Sequence, residues 1–367
     1  GKVDRKALSE MVREVADVSA TYVAPTSATE RQLADLWAQL LGVEKVGVHD
    51  NFFELGGHSL LAVQLFSELR KTTAMDLPLA ALFRSPTIAQ LAELIDKDGD
   101  APAWSSLVAI RPEGDKAPLF CVHGVYGDVL FYREFAENVA EGHPVYGLQP
   151  PTLSGGALPY ATMRELAEHY VDMMRQVQPT GPYHICGYSF GGTASLEMAR
   201  VLREQGESVA MLSIFDTLMG SEWADPVQHE ENLGRTRSLT DDGAAATLRQ
   251  KLRANYPIWR SYMILKGAYV AVLGRLHDMH VRRGNTLPRE HRSAYTAWCL
   301  RRLSARYEPL PFDGEIVLFC SQKRKHKVVK TWSRMAQGGL KIFDVPGDHL
   351  FIFQSESCLL YTSDAAD

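Results

Sequence analysis

One serine of this chain stands in a setting that could turn its hydroxyl into a nucleophile. Ser189 lies in the sequence GYSFGG at residues 187–192, between an apolar run at 183–186 and a helix-like segment at 193–205. A strand, a G-x-S-x-G turn and a helix form the pattern of a nucleophile elbow, in which small residues permit a tight turn that presents the hydroxyl. An ordinary glycine-rich turn is the alternative. The strand and helix on either side favour the activated serine.

A serine alcohol is a poor nucleophile at neutral pH, so it needs a general base, and the base needs an orienting carboxylate. With this elbow the chain order is serine, then aspartate or glutamate, then histidine. His349 fits the base, because it follows a strand-like run at 340–345 and a Pro-Gly turn. His326 falls in a charge run that we interpret as a solvated loop. Three further histidines lie among basic helical residues: His277, His280 and His291.

Asp216 is our candidate for the orienting carboxylate. It ends the apolar run 210–215, where the end of a strand would direct its side chain towards the site. Asp313 is the main rival. Asp344 lies inside its own strand, and Asp348 is too close in sequence to the histidine base to orient its ring easily.

Attack by the serine would create an oxyanion, which backbone N–H groups must stabilise. Phe190, immediately after the serine, is one expected donor. Val125 is the other, in the loop HGVYG (123–127) that follows the apolar run 119–122, with Gly124 as the alternative. The loop glycines could be mistaken for a phosphate cradle, but no lysine follows them.

The elements that would position these residues alternate between strand-like and helix-like segments from residue 107 onward, as in an α/β fold with a mainly parallel sheet. Together with the elbow, this pattern narrows the prediction to an α/β-hydrolase domain. Between 217 and 306 the strands stop, and we predict a helical lid whose apolar face packs internally or lines an acyl channel. The predicted strands are 107–111, 119–122, 144–148, 184–187, 208–215, 315–319 and 340–345; the predicted helices are 131–139, 163–177 and 193–205.

A separate, all-helical domain is predicted at 21–96, where four helical patterns fit a small bundle. Within it, two glycines lead into Ser59 at the start of a helix. Ser59 could be an N-cap residue, which is common. It could also be a modification site, because a phosphate ester there would lie at the positive end of the helix dipole. The composition of 97–106 is typical of a linker.

The helical domain resembles the peptidyl carrier proteins through FFELGGHSL (52–60) and LFRSPT (82–87). That resemblance implies that Ser59 carries 4′-phosphopantetheine, added by a phosphopantetheinyl transferase, and that its thiol holds a peptide as a thioester. The first residues, GKVDRKAL, resemble the closing signature of adenylation domains. We therefore expect 1–20 to be the remnant of such a domain and a linker, in a fragment of a longer polypeptide.

Residues 107–357 resemble the type I thioesterase that ends non-ribosomal peptide synthetases, through the FCVHG loop, GYSFGG, the FDT acid, YEP at 307–309 and PGDH at 346–349. The resemblance implies that Ser189 accepts the peptide as an acyl-enzyme, with His349 as base and then acid. Water or an internal nucleophile would release it, by hydrolysis or macrocyclisation. It also implies upstream condensation and adenylation domains as partners, and a role in secondary-metabolite or antibiotic biosynthesis.

Composition excludes several classes of function. The net charge of −5 and the lack of a basic, aromatic-rich face exclude a general nucleic-acid binder. The five cysteines are never spaced as CxxC, so we expect no metal site and a reducing compartment. Without a signal peptide or an apolar run long enough to cross a bilayer, the expectation is a cytoplasmic protein with no membrane partner.

The last ten residues, CLLYTSDAAD (358–367), look like a non-native tail. We therefore expect that the thioesterase domain has lost its final helix, which could loosen the loop holding His349. Two alternatives remain at this point. The chain could be a stand-alone serine esterase or lipase, or a catalytically impaired carrier and docking module.

Overall fold

The computed structural model describes residues 22–73, 77, 79–97, 104–219, 256–346 and 349–354. The chain divides into two compact units, Gly1–Trp104 and Ser105–Asp367. The predictions for the remnant at 1–20, for most of the linker, for Asp348 and for the tail at 358–367 lie outside the described residues. So does the part of the predicted lid at 220–255.

The first unit is a helical bundle, as predicted. A capping box between Ser27 and Glu30 begins its first helix, and Gly42, with a φ of 70°, ends it. A second capping box, between Thr87 and Gln90, begins the last helix. Its core is formed by Leu33, Trp37, Phe52, Leu65 and Leu91, all fully buried. The helices are α1 (Ala28–Leu41), α2 (Ser59–Thr73), α3 (Ala81–Arg84) and α4 (Ile88–Asp96).

The second unit is built on a seven-stranded sheet with the order β1-β3-β2-β4-β5-β6-β7. The edge pair β1–β3 is antiparallel and every other pair is parallel. The predicted bounds of the first, second and last strands agree with the structure. The strands are β1 (Leu107–Arg111), β2 (Leu119–Val122), β3 (Val145–Leu148), β4 (Tyr183–Tyr188), β5 (Val209–Phe215), β6 (Ile316–Ser321) and β7 (Leu340–Val345).

Several helices pack against this sheet. Helix α7 packs against α6 and against strands β2, β4 and β5. It begins at Phe190, three residues before the predicted start, because the tight turn at the serine leads directly into the helix. The helices are α5 (Tyr132–Asn138), α6 (Met163–Arg175), α7 (Phe190–Glu204), α8 (Tyr256–Arg282), α9 (Arg289–Arg306) and α10 (Lys325–Trp332), with short 3₁₀ turns at Pro151–Ser154 and His349–Gln354.

Helices α8 and α9 are the described part of the predicted lid, and both are helical as expected. Helix α9 is tied to the turn that follows β3, since the Thr152 and Thr296 hydroxyls lie 2.6 Å apart in a buried contact. The 27 residues of α8 include no stretch apolar enough to cross a bilayer, and the same holds for every other helix that the structure describes.

The prediction that His326 lies in a solvated loop is wrong. His326 is exposed, but it belongs to α10. Val328 and Trp332, four residues apart, are fully buried on one face of that helix. Lys325, Lys327 and Lys330 of the same helix are exposed, and this run of charges hid the helical period of the apolar residues.

Candidate active site

Ser189 occupies the sharp turn between β4 and α7, with φ 58° and ψ −114°, a conformation that a residue with a side chain rarely adopts. Its N–H donates to the Phe215 carbonyl at 3.0 Å, which ties the turn to β5. Only glycine fits on either side: a Cβ on Gly187 would collide with the Gly191 carbonyl, and one on Gly191 would collide with the Val122 carbonyl. The turn thus has the close packing that the sequence pattern predicts.

His349 lies between Ser189 and Asp216. Its Nε2 is 3.0 Å from Ser189 Oγ, and its Nδ1 is 2.8 Å from Asp216 Oδ2. The Tyr188 hydroxyl donates to the His349 carbonyl at 2.8 Å, and the two rings stack with centroids 4.8 Å apart. Phe353, in the same 3₁₀ turn, packs against the Phe215 ring. The imidazole is therefore held in place by the hydrogen bond to the His349 carbonyl and by the stacking on its ring.

Asp216 follows β5 with a φ of 45° and is completely buried. Besides the imidazole, three donors reach its carboxylate: the Ser321 N–H at 3.1 Å from Oδ1, the Ser321 hydroxyl at 3.0 Å from Oδ2, and Arg324 Nη1 at 3.2 Å from Oδ2. Burial raises the pKa of Asp216, but the bond and charge of His349, the charge of Arg324 and the Ser321 N–H outweigh it, so the pKa is lowered. The carboxylate is ionised at neutral pH.

An ionised Asp216 fixes the protonation of the imidazole. A carboxylate only accepts hydrogen bonds, so Nδ1 of His349 carries the proton and donates it. In the neutral ring Nε2 is then an acceptor, and the Ser189 hydroxyl donates to it. This tautomer is the one that can remove the proton of Ser189.

The rival aspartates are engaged elsewhere. Asp313 is an exposed residue paired with Arg203 at 2.9 Å, and Asp344 is an exposed residue paired with Lys325 at 2.6 Å. Asp348 lies outside the described residues. Among the described aspartates, the one hydrogen-bonded to His349 is Asp216.

The loop that contains Val125 is held by a buried histidine. Burial lowers the pKa of His123 to about 4, so its ring is neutral, although its bond to Gly124 opposes the shift. Its Nδ1 is 2.5 Å from the Gly124 carbonyl and its Nε2 is 2.6 Å from the Tyr170 hydroxyl. Gly127 N–H also donates to the Gly124 carbonyl, at 3.0 Å. Because a trans peptide is planar, the Val125 N–H points opposite to this pinned carbonyl and away from both donors.

Phe190 is the first residue of α7, where a helix leaves its N–H groups without an intrahelical acceptor. Its ring stacks on His123, with centroids 5.5 Å apart. One buried histidine therefore contacts both peptide segments that bear the expected oxyanion donors. Sequence reasoning identified the loop but missed His123, whose burial is not visible in the motif.

Ser321 and Arg324 were also missed. Arg324 lies in the segment QKRKHK (322–327), which reads as an exposed charge run, yet it is only 7% exposed. It precedes the buried Val328 by four residues and Trp332 by eight, so it lies on the buried face of the α10 period. That spacing was the signal that could have found it.

The first unit presents Ser59 as the first residue of α2. Gly56 has a φ of 93°, and a Cβ on Gly57 would collide with the Phe52 ring and carbonyl, so the approach to the helix requires both glycines. The N-terminus of a helix favours a phosphate group. The loop and helix therefore fit a phosphate ester at this serine.

Known protein families match both units. The model described as "Thioesterase domain" matches residues 117–361, which is more than half of the chain. The chain belongs to the thioesterase domain family. A second model, described as "Phosphopantetheine attachment site", matches residues 31–95 of this thioesterase chain.

Two relatives of the thioesterase are very large synthetases. "Malpibaldin synthetase" of Mortierella alpina is 39% identical over 219 residues, which are 59% of this chain and 4% of the relative. "Dimodular nonribosomal peptide synthase" of Bacillus subtilis (strain 168) is 39% identical over 218 residues, 59% of this chain and 9% of the relative. The chain thus spans less than a tenth of the length of either relative.

A crystal structure of a four-domain nonribosomal peptide synthetase bound to AMP and glycine resembles this chain with 26% identity and a TM-score of 0.54. The likeness covers 94% of this chain and 26% of that one. These matches confirm the expected carrier followed by an α/β-hydrolase thioesterase domain, and 4′-phosphopantetheine as the covalent group of the carrier. They do not favour a stand-alone esterase or an inactive docking module.

Proposed function

We propose that Ser189, His349 and Asp216 are the catalytic triad that takes an acyl or peptidyl chain from a thioester and releases it from the synthetase. The observation that carries the proposal is the continuous chain of hydrogen bonds from Ser189 Oγ through His349 to Asp216, at 3.0 and 2.8 Å. A buried, ionised carboxylate at its end orients the imidazole and stabilises the imidazolium that forms.

In the first half-reaction Ser189 Oγ attacks the thioester carbonyl while its proton passes to His349 Nε2. The C–O bond forms, and the carbonyl oxygen becomes an oxyanion that accepts hydrogen bonds from the N–H groups of Val125 and Phe190. When this intermediate collapses, the C–S bond breaks and His349 returns its proton to the departing sulfur. The acyl chain is then an ester of Ser189.

In the second half-reaction His349 removes a proton from the incoming nucleophile, which attacks the ester carbonyl, and then gives the proton to Ser189 Oγ. Water gives hydrolysis, and a hydroxyl or amine within the chain gives macrocyclisation. Both outcomes use the same three residues. The lid that we propose at 217–306, of which α8 and α9 are described, would select between them by admitting or excluding water.

We also propose Ser59 as the attachment residue, which rests on its place at the start of α2 behind Gly56 and Gly57. When bound there, the phosphopantetheine arm supplies the thiol that carries the acyl group. A phosphopantetheinyl transferase and the upstream condensation and adenylation domains are the partners that this role requires. The proposed boundaries are 21–96 for the carrier and 107–357 for the thioesterase.

We place this activity in the cytoplasm. The four cysteines within the described residues are buried free thiols, as expected in a reducing compartment. We propose no metal for this activity, because in a serine mechanism the protons move between side chains.

A fluorophosphonate probe tests the triad, because it forms a stable adduct with an activated serine only. We expect the full chain to gain the mass of one adduct on Ser189, and Ser189→Ala to gain none while it remains folded. Ser195, a buried serine of the next helical turn, provides the matched control: Ser195→Ala should still be labelled. Labelling of the Ser189→Ala variant at the parent rate would refute the assignment.

A further inference from the structure

Arg324 places a buried cation beside the carboxylate that orients His349. Its side chain is 7% exposed, and Nη1 lies 3.2 Å from Asp216 Oδ2. Orientation of this carboxylate does not require it, since the Ser321 N–H and hydroxyl already hold both oxygens at 3.1 and 3.0 Å. Burying a guanidinium group is costly even when it is paired. Orientation of the Asp216 carboxylate therefore does not by itself explain why the Arg324 guanidinium group is buried.

The guanidinium group is also incompletely satisfied. Its Nε is buried and has no hydrogen-bond partner in the described part of the chain. Asp216 is the carboxylate within ion-pair distance of it among the described residues. Arg324 is thus matched to one oxygen atom of Asp216, and that atom is the one that His349 uses.

Sharing this oxygen brings two cations together during the reaction. His349 Nδ1 lies 2.8 Å from Oδ2 and Arg324 Nη1 lies 3.2 Å from it. The two nitrogen atoms are therefore no more than about 6 Å apart, a range in which like charges disfavour each other. Arginine remains charged at all pH values of interest. Each protonation of His349 thus takes place against a fixed positive charge.

We propose that Arg324 is a positioning residue that keeps His349 neutral in the resting enzyme by offsetting part of the negative charge of Asp216. The inference rests on the proposed function of the triad. Without Arg324, Asp216 would attract a proton to His349 more strongly, and the base would be blocked by protonation at a higher pH. With Arg324, the neutral base persists to lower pH.

The other titratable groups around this cluster do not supply the same charge. The Cys320 thiol of β6 is buried, which raises its pKa to about 12 and keeps it neutral. On the far side of Arg324, the exposed Lys325 is paired with Asp344 of β7 at 2.6 Å. Tyr188 contacts His349 through its ring and hydroxyl. Lys323, in the turn that contains Arg324, is exposed.

The test uses the full chain and the pH dependence of Ser189 acylation, measured with an acyl thioester of N-acetylcysteamine from about pH 5 to about pH 9, since kcat/KM reports the free enzyme. In Arg324→Met and Arg324→Gln we expect the acid limb to move up by about one pH unit, a loss of about tenfold below the midpoint. Arg324→Lys should restore the parent limb. Lys325→Gln, an exposed neighbour, should leave the limb unchanged.

An unmoved or lowered limb in a folded Arg324→Met or Arg324→Gln variant would overturn the proposal. So would a loss of folding in both neutral variants with Arg324→Lys intact, because the charge would then serve the fold. Ser189→Ala separates this proposal from the one on which it rests. If Ser189→Ala is still acylated, the proposed triad fails; if acylation requires Ser189 and the limb does not move, only the role of Arg324 fails.

Discussion

Asp216→Asn should damage the stability of the thioesterase unit as well as its activity. Replacing the carboxylate by a neutral amide leaves Arg324 buried with no ionic partner among the described residues. Breaking a buried ion pair from one side typically costs about 3–5 kcal/mol. We take the lower end, about 3 kcal/mol, because the amide oxygen can still accept one hydrogen bond.

The double variant Asp216→Asn/Arg324→Met removes both charges and should recover most of that loss, since replacing a buried pair by apolar groups is often nearly neutral. Neither variant should recover activity. An amide that donates to Nδ1 would force the other tautomer of His349, so we expect the acylation rate of Ser189 to fall by about three orders of magnitude or more.

Urea unfolding of the full chain measures the coupling between Asp216 and Arg324. The free energy of unfolding of the thioesterase unit is compared among the parent, the single variants and the double variant. Arg324→Met alone completes the cycle. An Asp216→Asn variant as stable as the parent would refute the reasoning that Arg324 depends on Asp216 for its burial. A double variant less stable than Asp216→Asn would refute it too.

Three further predictions concern acid stability, the loop of Val125 and the support of His349. The pKa of Asp216 is lowered from an ordinary value of 3.8, so its stabilising contribution should be complete above that value and lost as the pH falls below it. We therefore expect the midpoint of acid unfolding to move to lower pH in Asp216→Asn/Arg324→Met, and an unmoved midpoint would contradict the prediction. Gly127→Ala should slow fluorophosphonate labelling of the chain about tenfold or more, because the new Cβ would lie 2.9 Å from Thr296 Cγ2 and shift the loop that contains Val125. The control is Gly206→Ala, also at positive φ but in open space, which should retain the parent rate. Equal rates for the two variants would contradict the prediction. Tyr188→Phe keeps the ring and removes the hydroxyl that bonds the His349 carbonyl, so kcat/KM for an acyl thioester should fall about fivefold, whereas an unchanged value would show that this bond does not position the base.

The sequence predicts much of this architecture because its decisive residues lie at the ends of strands. Ser189 and Asp216 follow β4 and β5, which are neighbours in a parallel sheet, and parallel strands bring their carboxyl ends to one edge. His349 follows β7 by a short turn, and the structure places it between the other two. The order of the strands, by contrast, depends on contacts between distant segments that no local pattern contains.

What sequence reasoning could not reach was the packing behind the three residues. Arg324 looked solvated because its neighbours in sequence are charged, and the fold buries it through the period of α10. His123 looked like a part of a glycine loop, and only the fold shows the burial that keeps its ring neutral. The start of α7 at Phe190 was also missed, since the strained turn at Ser189 leads directly into the helix.

The central claim, that Ser189 accepts the acyl chain borne by the carrier, has one direct test. The full chain is converted with a phosphopantetheinyl transferase and an acyl-coenzyme A, and the acyl mass on Ser59 is followed by intact-mass spectrometry. In the parent the acyl mass should disappear from Ser59 as free acid or cyclic product accumulates, and in Ser189→Ala it should stay. Release from Ser189→Ala at the parent rate would contradict the claim.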